Sequence, residues 1–319
     1  MSPAQITVAI VSWNTRDLLD RCLDSLYQDS QVGRADVWVI DNASSDRSAE
    51  LVRDRYPWVR LIASRENLGF GRGVNAIAAR TDSPWLALAN ADVRLCPGAL
   101  PQLLTEGERH PEAGVIAPRL TLPDGSTQQS VYPLPTIPFT LAYAFGLTTL
   151  SRRLARRWCI DRGFDPSTAR EVGWAVGAFL LVRRRAWRQV GGFDEAQWMY
   201  AEDVDLGWRL HRAGWITRYE PRARVLHHES AATSLAWGDT RHARWHASTY
   251  AWLMRRRGLA LARAVALINV VGFSLRAVWY LPASLAGNCK ARNAQRRALA
   301  TVRAHTVGLR PRSWLERIR

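Results

Sequence analysis

The feature that most constrains this chain is the exchange of short apolar runs for helical patterns over its first 120 residues. Residues 6–13 are apolar and rich in β-branched side chains. Residues 16–27 then carry Leu18, Leu19, Cys22, Leu23 and Leu26 at helical spacing. A second run, 37–40, ends at Asp41, and Ser44, Ser45 and Asp46 offer N-cap oxygens for a helix through residue 55. A third run covers 59–63, followed by a helix over 71–80, and a fourth, 85–89, closes on Asn90-Ala91-Asp92. Strands this short, each followed by a helix, predict an α/β fold with a mostly parallel sheet covered by helices. Such sheets bind ligands beyond the carboxyl ends of their strands, which is where Asp41 and Asp92 fall.

Past Pro97 the alternation loosens. A helix over 98–109 and a strand near Val115 are expected, and 121–170, rich in Pro, Thr and Arg, reads as loops and short helices. Order returns in the apolar segment 171–182, then a helix over 204–213 and a strand over 216–219. After about residue 235 the composition turns to Trp, Arg, Ala and Leu, the mark of a helical C-terminal region. The pattern thus divides the chain into a first domain over 1–235, with halves of about 1–120 and 121–235, and a basic helical region over 236–319.

At 319 residues the chain is long enough to bury a large core, and its apolar and charged fractions are those of a folded protein. The net charge of +16 is unusual, and it is arginine charge, since Lys290 is the only lysine. Such a balance favours an anionic partner: a phosphorylated ligand, a nucleic acid or an anionic membrane. The four cysteines are scattered, with neither a paired spacing nor a Cys/His cluster, which excludes a disulfide framework or structural zinc and suits a reducing cytoplasm. The apolar run at the N-terminus is short and lacks a basic start, so it reads as a strand and not a secretory signal.

Three clusters carry chemistry. Residues 67–75, Asn-Leu-Gly-Phe-Gly-Arg-Gly-Val-Asn, place three glycines at the opening of a helix, where backbone N–H groups can meet phosphate; taken alone, the segment reads better as a plain tight turn. Glu202-Asp203-Val204-Asp205 opens another helix, and acidic residues there complement the helix dipole. His227-His228 follows the last strand and, taken alone, fits a hydrogen-bonded structural role.

Six segments occur in order: Val8–Asn14 (Val-Ala-Ile-Val-Ser-Trp-Asn), Asp41–Asp46, the glycine-rich 67–75, Asn90-Ala91-Asp92, 191–195 (Gly-Gly-Phe-Asp-Glu) and Glu202–Asp205. Together they resemble the inverting family 2 glycosyltransferases of GT-A fold, in particular a bacterial rhamnosyltransferase-like branch, over about residues 6–230. The resemblance implies a GT-A, Rossmann-like sheet with a helical C-terminal extension. It implies a nucleotide-sugar pocket formed by Trp13, Asn14, Asp41, Asn67, Gly69, Arg72, Asn75, Asn90 and Asp92. Asp41 would meet a pyrimidine N–H or ribose hydroxyls. Asp203 would be the base that deprotonates the acceptor hydroxyl, with Glu202 beside it, and Gly177, Ala178, Tyr200 and Asp205 would lie on the acceptor side. Asp92 would hold Mg²⁺ or Mn²⁺ with a histidine nearby, His227 or, on a one-residue slip, His228. Asn90 stands where such enzymes usually carry a first carboxylate, a departure that bears on how strongly the metal is held. The partners implied are a nucleoside-diphosphate sugar, dTDP-rhamnose first and a UDP-sugar second, and a saccharide or polyprenyl-linked acceptor in cell-wall or surface polysaccharide synthesis.

Residues 264–285 are apolar but interrupted by Asn269, Arg276 and Pro282, which favours an interfacial segment over a spanning one. Arginine clusters and Trp237, Trp245, Trp252 and Trp279 surround it, so contact with the inner face of the cell membrane is expected. A solvated basic face or a homodimer interface are the alternatives. A nucleotidyltransferase would begin with a glycine- and lysine-rich loop instead of Ile10–Asn14, and no nucleic-acid-binding motif is present.

Overall fold

The computed structural model describes residues 4–33, 35–160, 163–228 and 241–310; the expected boundary at 235 and Trp237 lie outside them. The described residues form two units, one of residues up to 132 with 166–228, the other of 133–165 with the residues from 241 onward.

The first unit begins as the alternation predicts: β1 (Ile6–Ser12), α1 (Arg16–Gly33), β2 (Ala35–Asp41), α2 (Ser48–Arg55), β3 (Arg60–Ala63), α3 (Gly69–Ala78) and β4 (Trp85–Asn90). After it come β5 (Val93–Leu95), α4 (Ala99–Arg109), β6 (Ala113–Thr121) and β7 (Val131–Tyr132). The apolar segment near 171–182 divides into β8 (Arg170–Val172), β9 (Trp174–Ala175) and β10 (Phe179–Arg183), followed by α8 (Arg184–Val190), α9 (Glu202–Arg212) and β11 (Ile216–His227). The main sheet runs β3-β2-β1-β4-β10-β6-β11-β5. The first four strands are parallel, β10 enters antiparallel between β4 and β6, and β11 runs parallel to β6. This is the mostly parallel α/β sheet expected, with β10, β5 and β8 entering antiparallel, inversions that period alone cannot reveal.

Strand β1 is buried on both faces, which is why it reads as an unbroken apolar run. Its Ile6, Val8 and Ile10 share a core with Leu19, Leu23 and Leu26 of α1 and with Val37 and Val39 of β2. Each such side chain contributes about 2 kcal/mol through burial. Register places Ser12 opposite Asp41 and Val11 opposite Asn90, so the carboxyl ends of β1, β2 and β4 share one edge. Strand β11 is three times longer than the segment read from its period, because it also pairs with β5, bringing His227 opposite Val93.

The second unit is helical: α5 (Ile137–Ala144), α6 (Leu147–Leu150), α7 (Arg152–Trp158), α10 (Arg241–Arg257), α11 (Leu259–Leu285) and α12 (Cys289–His305). Residues 133–165, expected within the 121–235 half of the first domain, pack here: Gly272 of α11 lies so close to Ala144 that an added Cβ would stand 2.7 Å from the Ala144 Cβ. The interruptions at Asn269 and Arg276 do not break α11. Both side chains bond backbone carbonyls, Asn269 to Val265 and Arg276 to Tyr143, and Pro282 sits in the last turn.

Candidate active site

Around the carboxyl edge of β1, β2 and β4 the loops collect most of the predicted polar residues. Asp41, at the end of β2, is buried; its Oδ2 accepts the Ser44 N–H at 3.1 Å, while its Oδ1 accepts no hydrogen bond from the described residues. The next residue repeats the pattern. Asn42 donates from Nδ2 to the Gly69 carbonyl at 3.3 Å and leaves its Oδ1 buried without a donor. Buried acceptors are normally satisfied, so two adjacent open ones can take N–H or O–H groups from a ligand.

Gly69 opens α3 at φ +76°, and an added Cβ would fall 2.3 Å from the Trp198 carbonyl oxygen. Only glycine lets the two loops approach this closely. Asn67 holds the turn, accepting the Gly69 N–H on Oδ1 and the Trp198 indole on its carbonyl. Arg72, exposed on the first turn of α3, reaches Glu195 at 3.9 Å.

Other predicted binders have their polar atoms engaged within the protein. Asn14, at φ 50°, accepts Ser45 N–H on its Oδ1 and donates its backbone N–H to Ser44 Oγ, tying the loops after β1 and β2 together beside half-buried Trp13. Asp46 likewise bonds Arg16 and Ser48, as a cap does. Asn75 clamps the 191–195 turn through both the N–H and the carbonyl of Phe193. These bonds shape the pocket walls, with Asp46 and Asn75 engaging both of their side-chain polar atoms within the protein.

Asp92 and His227 meet at the edge formed by β5 and β11. His227 Nε2 lies 3.4 Å from Asp92 Oδ1, and its Nδ1 lies 2.8 Å from the side-chain carbonyl of Gln128. That carbonyl accepts from Nδ1–H, which leaves Nε2 as the ring atom turned to the carboxylate. An imidazole nitrogen and a carboxylate oxygen turned toward one another are a ligand pair suited to a shared divalent cation, with Gln128 orienting the imidazole. His228 instead contributes its backbone N–H to the Asp92 carbonyl. Among the described residues no group of three metal-binding side chains forms, so any cation would complete its shell with diphosphate oxygens and water. Asn90, half-buried, anchors the edge through its N–H to the Ala178 carbonyl.

On the facing side, α9 starts under strain. Tyr200 and Ala201 both lie in the left-handed region, at φ 63° and 65°, a conformation that costs non-glycine residues on the order of 1 kcal/mol each. The strain aims the first turn. Asp203 retains partial access to solvent while protein surrounds it elsewhere; its Oδ2 accepts the Gly177 N–H at 3.3 Å and its Oδ1 the Val204 N–H at 2.8 Å. Burial raises its proton affinity and these backbone bonds hold part of that rise back. Glu202 is more deeply placed, with Oε2 lacking a hydrogen bond among the described residues; burial, then the neighbouring Asp203 charge, push its pKa up further. Burial thus holds both carboxyls above the ordinary carboxylate range, Glu202 the more strongly, and Asp203 is the one open to solvent.

Asp205 faces away. Fully buried, it accepts Arg209 Nε at 2.7 Å, and Arg209 also bonds the Val190 carbonyl, so Asp205 is a structural ion pair and offers nothing to an acceptor. Ala178 is likewise a core residue; of the predicted Gly177-Ala178 pair only Gly177 touches the site. Sequence reasoning missed Asn42, Gln128, Gln197 and Trp198. Gln128 stands 99 residues from His227, and no local signal joins them. Gln197, buried with an unbonded Nε2, sits beside Trp198 in the loop that meets Gly69.

Residues 3–248 match the family model described as glycosyltransferase like family 2. An N-acetylglucosaminyl-diphospho-decaprenol L-rhamnosyltransferase of Mycobacterium tuberculosis is 36% identical over 279 residues, covering 79% of this chain and 84% of the relative. The rhamnosyltransferase WbbL of Escherichia coli K12 is 37% identical over 90 residues, 28% of this chain and 33% of the relative. Among solved structures, the mannosyltransferase PcManGT from Pyrobaculum calidifontis in complex with GDP-Man and Mn²⁺ aligns with a TM-score of 0.62 at 16% identity, covering 96% of this chain and 87% of that one. The last likeness is one of fold.

Proposed function

The chain belongs to the family described as glycosyltransferase like family 2, and we propose that it moves rhamnose, with inversion, from dTDP-rhamnose to a polyprenyl-linked saccharide. It is a sugar-transferring enzyme of α/β fold. The relative from Mycobacterium tuberculosis, named for rhamnosyl transfer to a diphospho-decaprenol-linked sugar, supports the choice of donor and acceptor class. That acceptor would place the work at the inner face of the cell membrane, in the synthesis of a wall or surface polysaccharide.

The observation that carries the chemistry is the placement of Asp203, partly open to solvent and bonded by the Gly177 N–H, beside the more deeply buried Glu202. Asp203 takes the acceptor's hydroxyl proton on the oxygen that now receives the Gly177 N–H. A base whose pKa is raised toward neutrality accepts that proton more readily than an ordinary carboxylate. The acceptor oxygen then displaces the nucleoside diphosphate in line, which inverts the anomeric carbon. Asp41 and Asn42 supply acceptor oxygens to the nucleoside end, and the α3 N-terminus offers backbone N–H groups to the diphosphate. Asp92 and His227 would hold Mg²⁺ or Mn²⁺, which when bound neutralises charge growing on the leaving diphosphate. The test is release of nucleoside diphosphate from a panel of nucleotide sugars with a polyprenyl-linked acceptor. Release from dTDP-rhamnose that is lost in Asp203→Ala is expected; transfer from a UDP-sugar alone would reject the donor, and release surviving in Asp203→Ala would reject the base.

A further inference from the structure

We propose that the exposed face of α11 seats the protein on an anionic lipid bilayer, lying in the plane of the interface without crossing it. The helix has two faces. Ala262, Ala266, Asn269, Phe273 and Ala277 are buried within the helical unit. On the opposite side Leu267, Val271, Leu275, Val278 and Leu285 form one exposed stripe, at intervals of three, four and seven residues. Trp279 flanks it at 81% exposure, and Leu285 reaches 79%. Leu147 and Leu150 of α6 add exposed apolar surface to the same unit.

Charge selects the partner. Residues 241–310 contain twelve arginines and Lys290, and not one aspartate or glutamate. A second copy would bring this cationic stretch against itself, which disfavours a dimer through this face. A nucleic acid would satisfy the arginines and leave the Leu/Val/Trp stripe in water. An anionic bilayer satisfies both at once, the arginines at the headgroups and the stripe among the upper acyl chains.

Length and composition alone would let α11 span: it has 27 residues and a window of mean hydropathy 1.6. Packing argues otherwise. Its inner face is committed to neighbours within its unit, including α12, which carries Lys290, Arg292, Arg296, Arg297 and Arg303. Spanning would strip those cations from their unit or draw them into hydrocarbon.

The inference deepens the place of action proposed above and rests on that reading for the membrane's biological sense, but vesicle binding needs neither donor nor acceptor and is tested apart from transfer. The whole protein would be floated with phosphatidylcholine vesicles, with and without phosphatidylglycerol, at low and high salt. Binding to the phosphatidylglycerol vesicles, weakened by salt, is expected. Val271→Asp/Leu275→Asp should lower it at least tenfold while melting temperature and donor turnover stay unchanged. Equal binding by the double variant would overturn the proposal, as would binding that survives alkaline carbonate extraction, the mark of a spanning helix. A dimer in solution that the double variant dissociates, with no vesicle binding by either protein, would assign the stripe to a second copy and overturn it equally.

Discussion

His227 turns its Nε2 to within 3.4 Å of Asp92 Oδ1 because Gln128 holds its other ring nitrogen at 2.8 Å. The two residues lie 135 positions apart and meet only because β11 returns alongside β5. If this pair grips a cation, Gln128 is its orienting support, and removing that support weakens the grip without touching either ligand. Gln128→Leu is expected to weaken Mn²⁺ binding about 10–100-fold. A Mn²⁺ titration in the presence of nucleoside diphosphate measures this; an unchanged affinity would show that His227 orientation does not matter to the metal.

The Glu202–Asp203 pair makes two predictions with opposite readouts. Asp203 must be ionised to accept a proton, and its pKa is raised, so kcat/KM should climb with pH through a limb displaced to the alkaline side of the ordinary carboxylate value of about 4. Asp203→Asn should lose about 10²–10⁴ in kcat with donor binding retained. Because burial and the Asp203 charge push the Glu202 pKa up the further of the two, Glu202→Gln should keep activity within about tenfold.

The same raised pKa makes Glu202 a pH-dependent cost to the fold. Folded Glu202 binds its proton more tightly than the unfolded chain does, so the wild-type protein loses stability as pH rises above the unfolded glutamate pKa of about 4.3. Glu202→Gln removes that loss. Melting curves should coincide near pH 4 and separate as pH rises, the variant leading by about 3 °C or more at pH 9. Curves parallel across that range would mean that Glu202 is not held neutral.

The parallel strands, the acidic helix start and the glycine-rich turn are legible in the sequence because each is a local pattern: an apolar run, a first-turn carboxylate, a spacing of glycines. The antiparallel entry of β10 is not, since a run such as Phe179–Arg183 carries no mark of direction. The role of each polar residue is legible only in part. Asp205 and Asp203 stand two apart on one helix turn, and sequence cannot say that one meets Arg209 in the core while the other meets Gly177 at the surface. Asn75 reads as a pocket residue until the turn it clamps, more than a hundred residues on, is seen beside it.

Gly69 brings the turn that opens α3 against the loop before α9 through its contact with Trp198. A Cβ there would meet the Trp198 backbone carbonyl, and the φ of +76° is unfavourable for alanine. Gly69→Ala should therefore cost about 2 kcal/mol or more, read from the urea midpoint. Trimming the tryptophan should not rescue it, because the obstructing atom is main chain. Recovery in Gly69→Ala/Trp198→Ala would place the clash on the indole instead.

Asp205 and Arg209 form an ion pair in which one partner is fully buried and the other nearly so. Attraction and desolvation nearly cancel in such pairs, but removing one partner strands the other charge. Asp205→Ala should destabilise the protein by about 3–5 kcal/mol, leaving Arg209 with the Val190 carbonyl as its remaining anchor. Replacing both, as Asp205→Leu/Arg209→Met, should restore much of that loss, since an apolar pair of similar volume leaves no buried charge. The restored protein also separates structure from catalysis. If Asp205 serves only the fold, the double variant will turn over acceptor with a KM close to wild type. A folded double variant whose acceptor KM rises tenfold would return Asp205 to the acceptor site.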